Sequence, residues 1–454
     1  MSALPDGLLL AWYGDDFTGA AAVMEVLAFA GLPTLLFLEP PTQEQLARMP
    51  DVRCVGVAST ARTQSPEWMA RELPPAFAAL LALRPALLHY KVCSTLDSAP
   101  HIGSIGRAVE IGADLLGSDV VPILVAAPQM RRYQAFGHLF AGLGDAVFRL
   151  DRHPVMARHP VTPMAESDVA RHVAGQSDRI DAGLWSLEDI AADRPPAFTM
   201  PAGGRIRLLS LDCTDARTEA ACGRLIWEGR RQRAFVAGSQ GVQYALVRHW
   251  IESGALVPQG APDAVGLQKT VTVSGSVSPT TAQQIAWSRA NGFAVIPFDT
   301  VQACGDTLAL EREIELAVVA ALAAVDAGAD PLIHTAEGPD DPAVDLFRAA
   351  VAASGRTIAE VNERIGTALG RVLSTVLTRS GLRRAIVSGG DTSGHATRQL
   401  GIHALSALAP TIPGAALFLA HADGPMDGLQ LALKGGQMGS PDYFGWIRDG
   451  GGLR

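Results

Sequence analysis

The sequence predicts an α/β fold of two domains, each a mainly parallel sheet flanked by helices, with the active site in the interdomain cleft. Two observations lead to this prediction. Short apolar runs, each long enough for a buried strand, alternate with longer stretches of helical periodicity in both halves of the chain. A segment rich in Gly and Pro, 254–268, separates the halves, and a new series of apolar runs begins after it.

The length of the chain also favours two domains. It has 454 residues, whereas single domains of roughly 100 to 200 residues are typical. We predict an N-terminal domain over 1–256, a linker over 257–268 and a C-terminal domain over 269–454. A hydrophobic fraction of 48% is that of an ordinary soluble protein that can bury a sizeable core.

The first half contains a regular series of predicted strands, interrupted by a Pro-rich segment over 152–204. The strands are read in LLLAWYG, PTLLFLE, VRCVGVAS, ALLHYKV, VVPILVAAP, RIRLLSLD and RAFVAGS. Helical periodicity lies between them, for example in AAAVMEVLAFAG and EWMARELPPAFAALLAL.

The second half repeats this alternation. Its strands are read in KTVTVSGS, GFAVIPFD, PLIHTAEG, RRAIVSGG and AALFLAHAD. The long pattern over 345–380 is the clearest helical region, and the uncharged stretch 399–422 predicts a helix, a loop and a buried strand.

The composition argues against several classes of partner. With 37 Lys and Arg against 46 Asp and Glu, the formal charge is −9, so we expect no nucleic-acid partner. No stretch is typical of a signal peptide or a membrane span, and the five cysteines have no CxxC spacing, so the reducing cytoplasm is the expected compartment, with no membrane partner. Small molecules are the expected partners, and the sequence is compatible with a homo-oligomer.

The stretch YGDDFTGA, residues 13–20, lies where an apolar run gives way to a helical pattern. One carboxylate at this point would cap the helix, because a short acceptor side chain satisfies the free N–H groups of the first turn. Two carboxylates, Asp15 and Asp16, need a further explanation. Turn chemistry, solvent, or a cation together with a reacting hydroxyl would each account for the second one.

Small polar residues follow the apolar runs of the second half at three places. They are Ser274, Gly275, Ser276 and Ser278; Gly389, Gly390, Asp391, Thr392 and Ser393; and Lys434, Gly435 and Gly436. One such turn is more often structural than functional, because Gly is common wherever the backbone bends sharply. Several of them in one domain indicate a phosphate site, although none matches the GxxxxGK[ST] or GxGxxG patterns.

Four motifs together resemble the four-carbon acid sugar kinase family. They are YGDDFTGAAAVMEV, SGSVSPTTAQQ, VSGGDTSG and LKGGQMGSPDYF, in this order along nearly the whole chain. The resemblance implies an N-terminal sugar-acid-binding domain and a C-terminal nucleotide-binding domain. It also implies an enzyme that phosphorylates a hydroxyl of threonate, erythronate, 3-oxo-tetronate or a related acid with ATP.

The resemblance assigns site residues in both domains. The three polar segments of the second half become the ATP loops, and the DD(F/L)TGA motif becomes part of the acid site. The substrate-binding residues that it implies are Thr18, Gly19, Arg62, Lys91, Ser94, Thr95, Asp97 and Arg132. Arg132 has an arginine neighbour, Arg131, and the pair could clamp a carboxylate.

One segment departs from the family's pattern. Many members read K-x-D-S-T-L-R-G where this chain reads KVCSTLDS over 91–98, so that Cys93 replaces an Asp and Asp97 replaces an Arg. A cationic contact of those relatives is therefore absent or reversed here, and we expect Asp97 to accept hydroxyl groups of the acid. This difference favours a branched or oxidised acid such as 3-oxo-isoapionate.

Phosphoryl transfer requires a proton acceptor for the attacking hydroxyl and positive charge around the phosphates. We therefore predict Asp15 or Asp16 as the catalytic base and Mg²⁺ as a cofactor, without assigning its ligands. The scattered histidines have no zinc-binding spacing. Two alternatives stay open: a lyase or aldolase that uses Lys91 as a Schiff-base amine, and a non-catalytic sugar-acid sensor.

Overall fold

The computed structural model of the chain describes residues 3–196, 203–260 and 262–454, without the side chain of Asp391. Contacts divide the chain into two compact units, Met1–Gly260 and Ala261–Arg454. Each unit is built on a mainly parallel sheet with helices between the strands. The predicted fold class is therefore confirmed, while the position of the active site in an interdomain cleft stays a prediction.

The first unit alternates strands and helices along most of its length. Its strands are β1 Leu10–Gly14, β2 Thr34–Phe37, β3 Cys54–Ala58, β4 Leu87–Lys91, β5 Val120–Leu124, β6 Arg132–Ala135, β7 His138–Leu143, β8 Ala146–Arg149, β9 Ile180–Trp185, β10 Ile206–Leu211 and β11 Phe235–Gly238. Its helices are α1 Phe17–Phe29, α2 Gln43–Ala47, α3 Pro66–Ala82, α4 Ile105–Leu116, α5 Val169–Ala174, α6 Leu187–Ala191, α7 Ala216–Gly229 and α8 Gly241–Glu252.

The main sheet of the first unit has the order β2-β3-β1-β4-β11-β5-β10-β9, and every neighbouring pair is parallel. Strands β1, β3 and β4 therefore end at the same edge, with β1 in the middle. A separate antiparallel sheet, β6-β7-β8, follows β5 in the chain. The segments after β1, β3 and β4 are consequently brought together at one edge of the main sheet.

Aromatic rings fill the core beneath this edge. The ring of Phe77, on α3, lies 5.7 Å from that of Tyr13 and 6.0 Å from those of Tyr90 and Phe235. Trp12 is fully buried, and a Cβ at Gly56 on the adjacent strand would overlap its ring. The strand ends that carry the polar motifs thus stand on a closely packed support.

The second unit has the same alternation. Its strands are β12 Val271–Ser274, β13 Phe293–Pro297, β14 Asp330–His334, β15 Arg384–Ser388, β16 Ile402–Ala409, β17 Leu417–Ala422 and β18 Gln430–Lys434. Its helices are α9 Pro279–Ala290, α10 Thr307–Asp326, α11 Pro342–Ser354, α12 Ile358–Ser380, α13 Gly390–Gln399 and α14 Tyr443–Arg448.

Within this unit the strands β13-β14-β12-β15-β18 are parallel, and β17 and β16 continue the sheet in antiparallel order. Strand β12 lies between β14 and β15, so the ends of these three strands also meet at one edge. The core of the unit includes Ile285, Leu332, Ile386 and Tyr443, and the Tyr443 hydroxyl donates to the Ala415 carbonyl at 2.6 Å.

Of two local predictions, one is confirmed and one is wrong. The helical region predicted over 345–380 consists of two helices, α11 and α12, because Gly355 ends the first with φ +70° and Thr357 caps the second. The helix expected at the start of 399–422 is the strand β16, an Ala-rich segment whose local propensity is overridden by pairing with β17. Within the described parts of the chain, no helix combines the length and apolar character that a membrane crossing requires.

Candidate functional site

The carboxylates of the DD motif lie directly after β1 and have different surroundings. Arg62, in the turn after β3, donates to both oxygens of Asp15, at 2.8 Å to Oδ1 and 3.2 Å to Oδ2. The same guanidinium lies 2.7 Å from Oδ1 of Asp16. Asp16 also caps α1 by accepting from the Gly19 N–H at 3.0 Å. Asp16 thus combines the cap with an ion pair, whereas Asp15 accepts two hydrogen bonds from the guanidinium of Arg62.

The two carboxylates also differ in accessibility and in pKa. The side chain of Asp15 is 5% exposed and that of Asp16 is 27% exposed. Burial acts to raise the pKa of Asp15, but Arg62 and Lys91 outweigh it and leave this pKa below its ordinary value. Burial raises the pKa of Asp16; Arg62 opposes this effect, the charge of Asp15 reinforces it, and the pKa ends above its ordinary value. A pair of carboxyl groups with pKa values driven apart is typical of acid–base sites.

Lys91, the last residue of β4, completes this charged cluster. Its side chain is buried, and its ammonium donates to the Val92 carbonyl at 2.6 Å. A Cβ at Gly19 would overlap Lys91 Nζ and Asp16 Oδ1, so only glycine leaves room for the ammonium beside the first turn of α1. Thr18, in the same turn, is half-buried. The predicted residues Asp15, Asp16, Gly19, Arg62 and Lys91 are therefore brought together.

The segment KVCSTLDS, whose sequence departs from the family's pattern, forms a chain of polar contacts after β4. Cys93 Sγ lies 3.0 Å from Thr95 Oγ1, and Thr95 donates to Asp97 Oδ1 at 2.9 Å. Leu96, between them, has the left-handed φ of +55°, which makes the turn sharp. Ser94 is half-buried, as are Cys93 and Thr95 on either side of it. The segment presents a hydroxyl and a carboxylate beside Lys91.

Arg132, at the start of β6, faces this segment through its charge interactions with Cys93 and Asp97. Its buried Nε has no hydrogen-bond partner among the described residues. Another nitrogen of the same guanidinium donates to the carbonyl oxygens of Met130 at 3.2 Å and Arg131 at 3.3 Å. The guanidinium of Arg131 donates to the carbonyl oxygens of Gly144 and Ala146, and Arg131 is not among the described residues with an unpartnered buried nitrogen. The predicted arginine pair is thus divided between a structural residue and a guanidinium with a free donor.

Sequence reasoning missed Asp212, which positions the turn after β6. This fully buried carboxylate accepts from the backbone N–H groups of Phe136 at 2.7 Å, Gly137 at 2.9 Å and Leu187 at 3.0 Å. Phe136 and Gly137 have φ of +49° and +82°, so the carboxylate stabilises a turn that the backbone alone disfavours. An isolated Asp after an apolar run gave no local signal of this role.

His89 illustrates the structural alternative for a polar residue near the site. It lies within β4 and is fully buried; its Nε2–H donates to the Gly238 carbonyl at 3.0 Å, and its Nδ1 accepts from Gln243 Nε2 at 2.8 Å. Burial lowers the pKa of its imidazole to about 3, so the ring is neutral at physiological pH. We therefore interpret it as a core histidine.

In the second unit the segments after β12 and β15 are in direct contact. A Cβ at Gly275 would overlap Thr392 Oγ1, and Gly389 has φ +124°. Helix α13 begins at Gly390, so Asp391, Thr392 and Ser393 lie in its first turn and not in a loop as predicted. Free N–H groups at a helix start favour an anion.

Ser274, by contrast, is the last residue of β12 and is fully buried. The side chain of Asp391 lies outside the described part of the structure. Ser393 donates to the Gly389 carbonyl at 2.7 Å and so closes the first turn of α13. Of the predicted residues around α13, Thr392 is the one whose hydroxyl stands against the loop after β12.

The segment after β18 contacts the segment after β12. Ser278 caps α9 by accepting from Thr281 N at 3.1 Å and donates to the Gly436 carbonyl. Thr281 Oγ1, which sequence reasoning missed, lies 3.0 Å from both Ser276 Oγ and the Gly436 carbonyl oxygen. A Cβ at Gly436 would overlap Ser276 Oγ. The hydroxyls of Ser276, Ser278 and Thr281 therefore pack against the backbone of Gly436, where only glycine leaves room for them.

Lys434 is not on a flexible loop, as the sequence suggested. It ends β18, is 1% exposed, and its ammonium donates to the Gly435 carbonyl at 3.0 Å. Burial lowers its pKa to about 8. Gly435, the next residue, follows directly in the segment that contacts Ser276 and Ser278. Lys434 is thus a buried cation beside Gly435 and Thr281, next to the segments that are predicted to bind phosphate.

A cavity of about 320 Å³ opens beside these loops within the second unit. Gly275 and Thr392 line it, and α11 and α12 contribute residues that sequence reasoning did not select, including Phe347 and Ile365. This volume is at the lower end of the range of small-molecule sites, about 300 to 1,000 Å³. Helical periodicity could have marked the apolar faces of α11 and α12, but not the fact that they border the loops.

Comparison with known proteins identifies both units. Residues 10–246 match the model of a sugar-binding N-terminal domain, and residues 271–444 match that of a nucleotide-binding C-terminal domain. Binding domains for a sugar and for a nucleotide in one chain define a sugar kinase. The chain belongs to the four-carbon acid sugar kinase family. It is therefore an enzyme of the sugar-acid kinase class, which disfavours the lyase and sensor alternatives.

The relatives carry names that agree with this family. The chain is 46% identical, over 99% of its length and 96% of the relative's, to the 3-oxo-isoapionate kinase of Paraburkholderia graminis. It is 29% identical, over 96% of each chain, to the 3-oxo-tetronate kinase of Pseudomonas savastanoi pv. phaseolicola. A solved structure from Salmonella typhimurium LT2 has the same fold, with a TM-score of 0.77, 24% identity, and coverage of 97% of this chain and 98% of that one.

Proposed function

We propose that the chain transfers the γ-phosphoryl group of ATP to a hydroxyl of a small branched sugar acid, with 3-oxo-isoapionate as the first candidate. The observation that carries the proposal is the cluster of Asp15, Asp16, Arg62 and Lys91, which combines a proton acceptor with cations. A relative at 46% identity with the name 3-oxo-isoapionate kinase supports the choice of acid. The phosphate loops of the second unit support a nucleotide as donor.

Asp16 is the proposed catalytic base. Its carboxylate is the more exposed of the two and has the raised pKa, both of which suit a group that must reach a substrate hydroxyl and take its proton. Asp15 stays ionised and holds Arg62 bidentately. Asp15 is therefore the positioning residue that keeps the guanidinium beside the reacting group.

The acid is proposed to bind between the KVCSTLDS segment and Arg132. The Nε of Arg132, buried and without a partner, is a suitable donor for the carboxylate of the acid. Asp97 and Thr95 supply acceptors for hydroxyl groups. This arrangement favours an acid with several hydroxyl or oxo groups near the carboxylate, so threonate and erythronate are expected to be poorer substrates than 3-oxo-isoapionate and 3-oxo-tetronate.

Mg²⁺ is proposed as a cofactor that the nucleotide holds in large part. The described residues contain no cluster of three or more His, Cys, Asp and Glu side chains. Mg²⁺ commonly binds phosphates, waters and one or two side chains of the protein. Thr392, in the first turn of α13, would hold the ion together with the nucleotide, and the ion neutralises phosphate charge when bound.

The test is ADP release by the purified chain with a panel of four- and five-carbon sugar acids, ATP and Mg²⁺. We expect 3-oxo-isoapionate to give the highest kcat/KM, followed by 3-oxo-tetronate. Phosphorylation of the acid is checked by mass spectrometry. Absence of ATP turnover with every acid would contradict the proposal, and a preference for threonate would contradict the assigned substrate while leaving a sugar-acid kinase.

A further inference from the structure

Helix α11 has an apolar face that the folded chain leaves only half-buried. None of its residues is fully buried, although it spans Pro342–Ser354 and contains Val344 and Phe347. These two side chains, together with Ala343, line the cavity beside the phosphate loops. A helix normally buries its apolar face against a core. Here that face borders a cavity, so a ligand would complete its burial.

The opposite walls of the cavity are also apolar. Ile358 and Ile365 come from α12, Val277 follows β12, and Ala336 follows β14. Gly275 and Thr392, which belong to the phosphate loops, line the same cavity. The cavity is therefore polar where the phosphates are proposed to bind and apolar beyond them, as the two ends of a nucleotide require.

The polar groups along the apolar walls do not distinguish one purine from another. Thr300 and Thr335 offer hydroxyls that rotate and can either donate or accept, and Asn362 is exposed and offers an amide with both functions. Arg348 also lines the cavity, but its guanidinium pairs with the exposed Asp345 at 3.1 Å. Adenine and guanine differ in whether they present an amino donor or an oxo acceptor, and the two hydroxyls and the amide enforce neither choice.

We propose that this cavity is a purine subsite that binds the base by shape and apolar contact, so that the enzyme uses GTP as well as ATP as phosphoryl donor. The proposal rests on the proposed kinase function. In the step with GTP, the bond between the γ-phosphorus and the β–γ bridging oxygen breaks as the acid's hydroxyl oxygen bonds to that phosphorus. GDP leaves with the bond electrons, and the hydroxyl proton passes to Asp16 and then to water.

The experiment compares kcat/KM for ATP, GTP and CTP with the best acid substrate at saturation. Sites that discriminate by apolar fit alone give ratios of roughly 10 to 200, whereas sites that bind a defining hydrogen bond give about 10⁴ or more. We expect ATP and GTP to agree within about 100-fold, and CTP to be poorer than both because its ring offers less area for apolar contact.

A matched pair of variants on α11 tests whether binding of the purine nucleotides depends on the wall of this cavity. Phe347→Ala removes a ring from the cavity wall, and Leu346→Ala removes the neighbouring side chain, which is 62% exposed and does not line the cavity. We expect Phe347→Ala to raise KM for both purine nucleotides about tenfold with kcat little changed, and Leu346→Ala to leave both constants unchanged.

Two outcomes would overturn the proposal while kinase activity persists: an ATP preference over GTP above about 10⁴, or equal effects of the two α11 variants. Binding of ADP and GDP, measured by calorimetry without acid, supplies a readout that does not depend on turnover. If the dissociation constants for ADP and GDP differ by more than about 10⁴, this result would also contradict the subsite. Failure of all nucleotides to phosphorylate any acid, with both diphosphates still bound, would contradict the proposed function and support the subsite.

Discussion

The two units have the same local strand order but carry different chemistry at the same topological position. In the first unit β1 lies between β3 and β4, and in the second unit β12 lies between β14 and β15. The ends of the first three strands carry charged side chains, and those of the second three carry glycines and hydroxyls. A shared topology thus places a site, while the residues after each strand decide what it binds.

The electrostatics differ in the same way. In the first unit Arg62 contacts both Asp15 and Asp16, so the cation is paired before any substrate binds. In the second unit Lys434 has no ion pair with the described residues, and burial alone lowers its pKa. The first site is suited to proton transfer and the second to receiving an anion, and the following variants test that contrast.

The largest expected effect is that of Asp16→Asn. Asparagine keeps the helix cap but cannot take a proton, so kcat should fall by about 10² or more while the chain stays folded. Steady-state kinetics with the best acid measure kcat, and circular dichroism checks that the variant is folded. Asp114→Asn, at an exposed carboxylate paired with Arg179, is the matched control and should retain full activity.

The pH profile checks the same assignment independently. Because Asp16 accepts a proton only when ionised and burial raises its pKa, kcat/KM should fall as the pH drops through a value above that of an ordinary carboxylate. The Asp16→Asn variant should lose this acidic limb. If the variant retains the acidic limb, another group is responsible for it. Full activity of an Asp15→Asn, Asp16→Asn double variant would show that neither carboxylate takes part in the reaction.

Gly275→Ala should have the next largest effect, on the nucleotide site alone. Its Cβ would overlap Thr392 Oγ1, and overpacking of about 2 kcal/mol corresponds to a rise of roughly 30-fold in KM for ATP. KM for the acid should stay unchanged. Gly394→Ala is the control, because Gly394 lies on α13 close to Thr392 in sequence but has open space around its Cβ. An equal rise in KM for both substrates would show that the variant disturbs more than the phosphate loops.

The Lys434→Met variant should raise the stability of the second unit and lower its affinity for ADP. The folded chain holds this lysine at a pKa of about 8 against an ordinary 10.5, so the unfolded chain binds more protons between these values and the lysine's contribution to stability rises with pH there. Removing the buried charge at pH 7 should therefore stabilise the unit by on the order of 1 to 3 kcal/mol, measured as a higher Tm.

The same Lys434→Met variant should bind ADP about tenfold more weakly, because a cation beneath the loops is lost. Calorimetry measures the affinity, and Lys269→Met, at a half-exposed lysine of the same unit, should leave it unchanged. The gain in Tm should shrink at pH 10. Unchanged ADP affinity in Lys434→Met would limit the lysine to a structural role.

The smallest expected effect is that of Asp212→Asn in the first unit. The amide keeps the shape but presents N–H where the carboxylate accepts from backbone N–H groups, so the turn that follows Arg132 should loosen. We expect KM for the acid to rise about three- to tenfold with KM for ATP unchanged. Asp145→Asn, in the exposed loop between β7 and β8, is the control.

Much of the fold could be predicted because buried parallel strands are short apolar runs that need no partner to be recognised. The same holds for the sites: motifs such as YGDDFTGA and SGSVSP lie directly after strands, where parallel topology brings them together. Prediction failed where the deciding contact is distant. Strand β16 exists through its pairing with β17, and Asp212 acts on a turn 75 residues earlier, at Gly137.

The sequence by itself determined which residues stand at the strand ends, since that follows from apolar periodicity and from glycine and carboxylate chemistry. Only the tertiary structure decided how the two aspartates differ. They are adjacent in sequence and chemically identical, yet Arg62 and Lys91 outweigh burial and lower the pKa of Asp15, whereas burial together with the charge of Asp15 raises the pKa of Asp16. The physical reason is that burial and charge at a carboxylate depend on neighbours that folding brings from other strands.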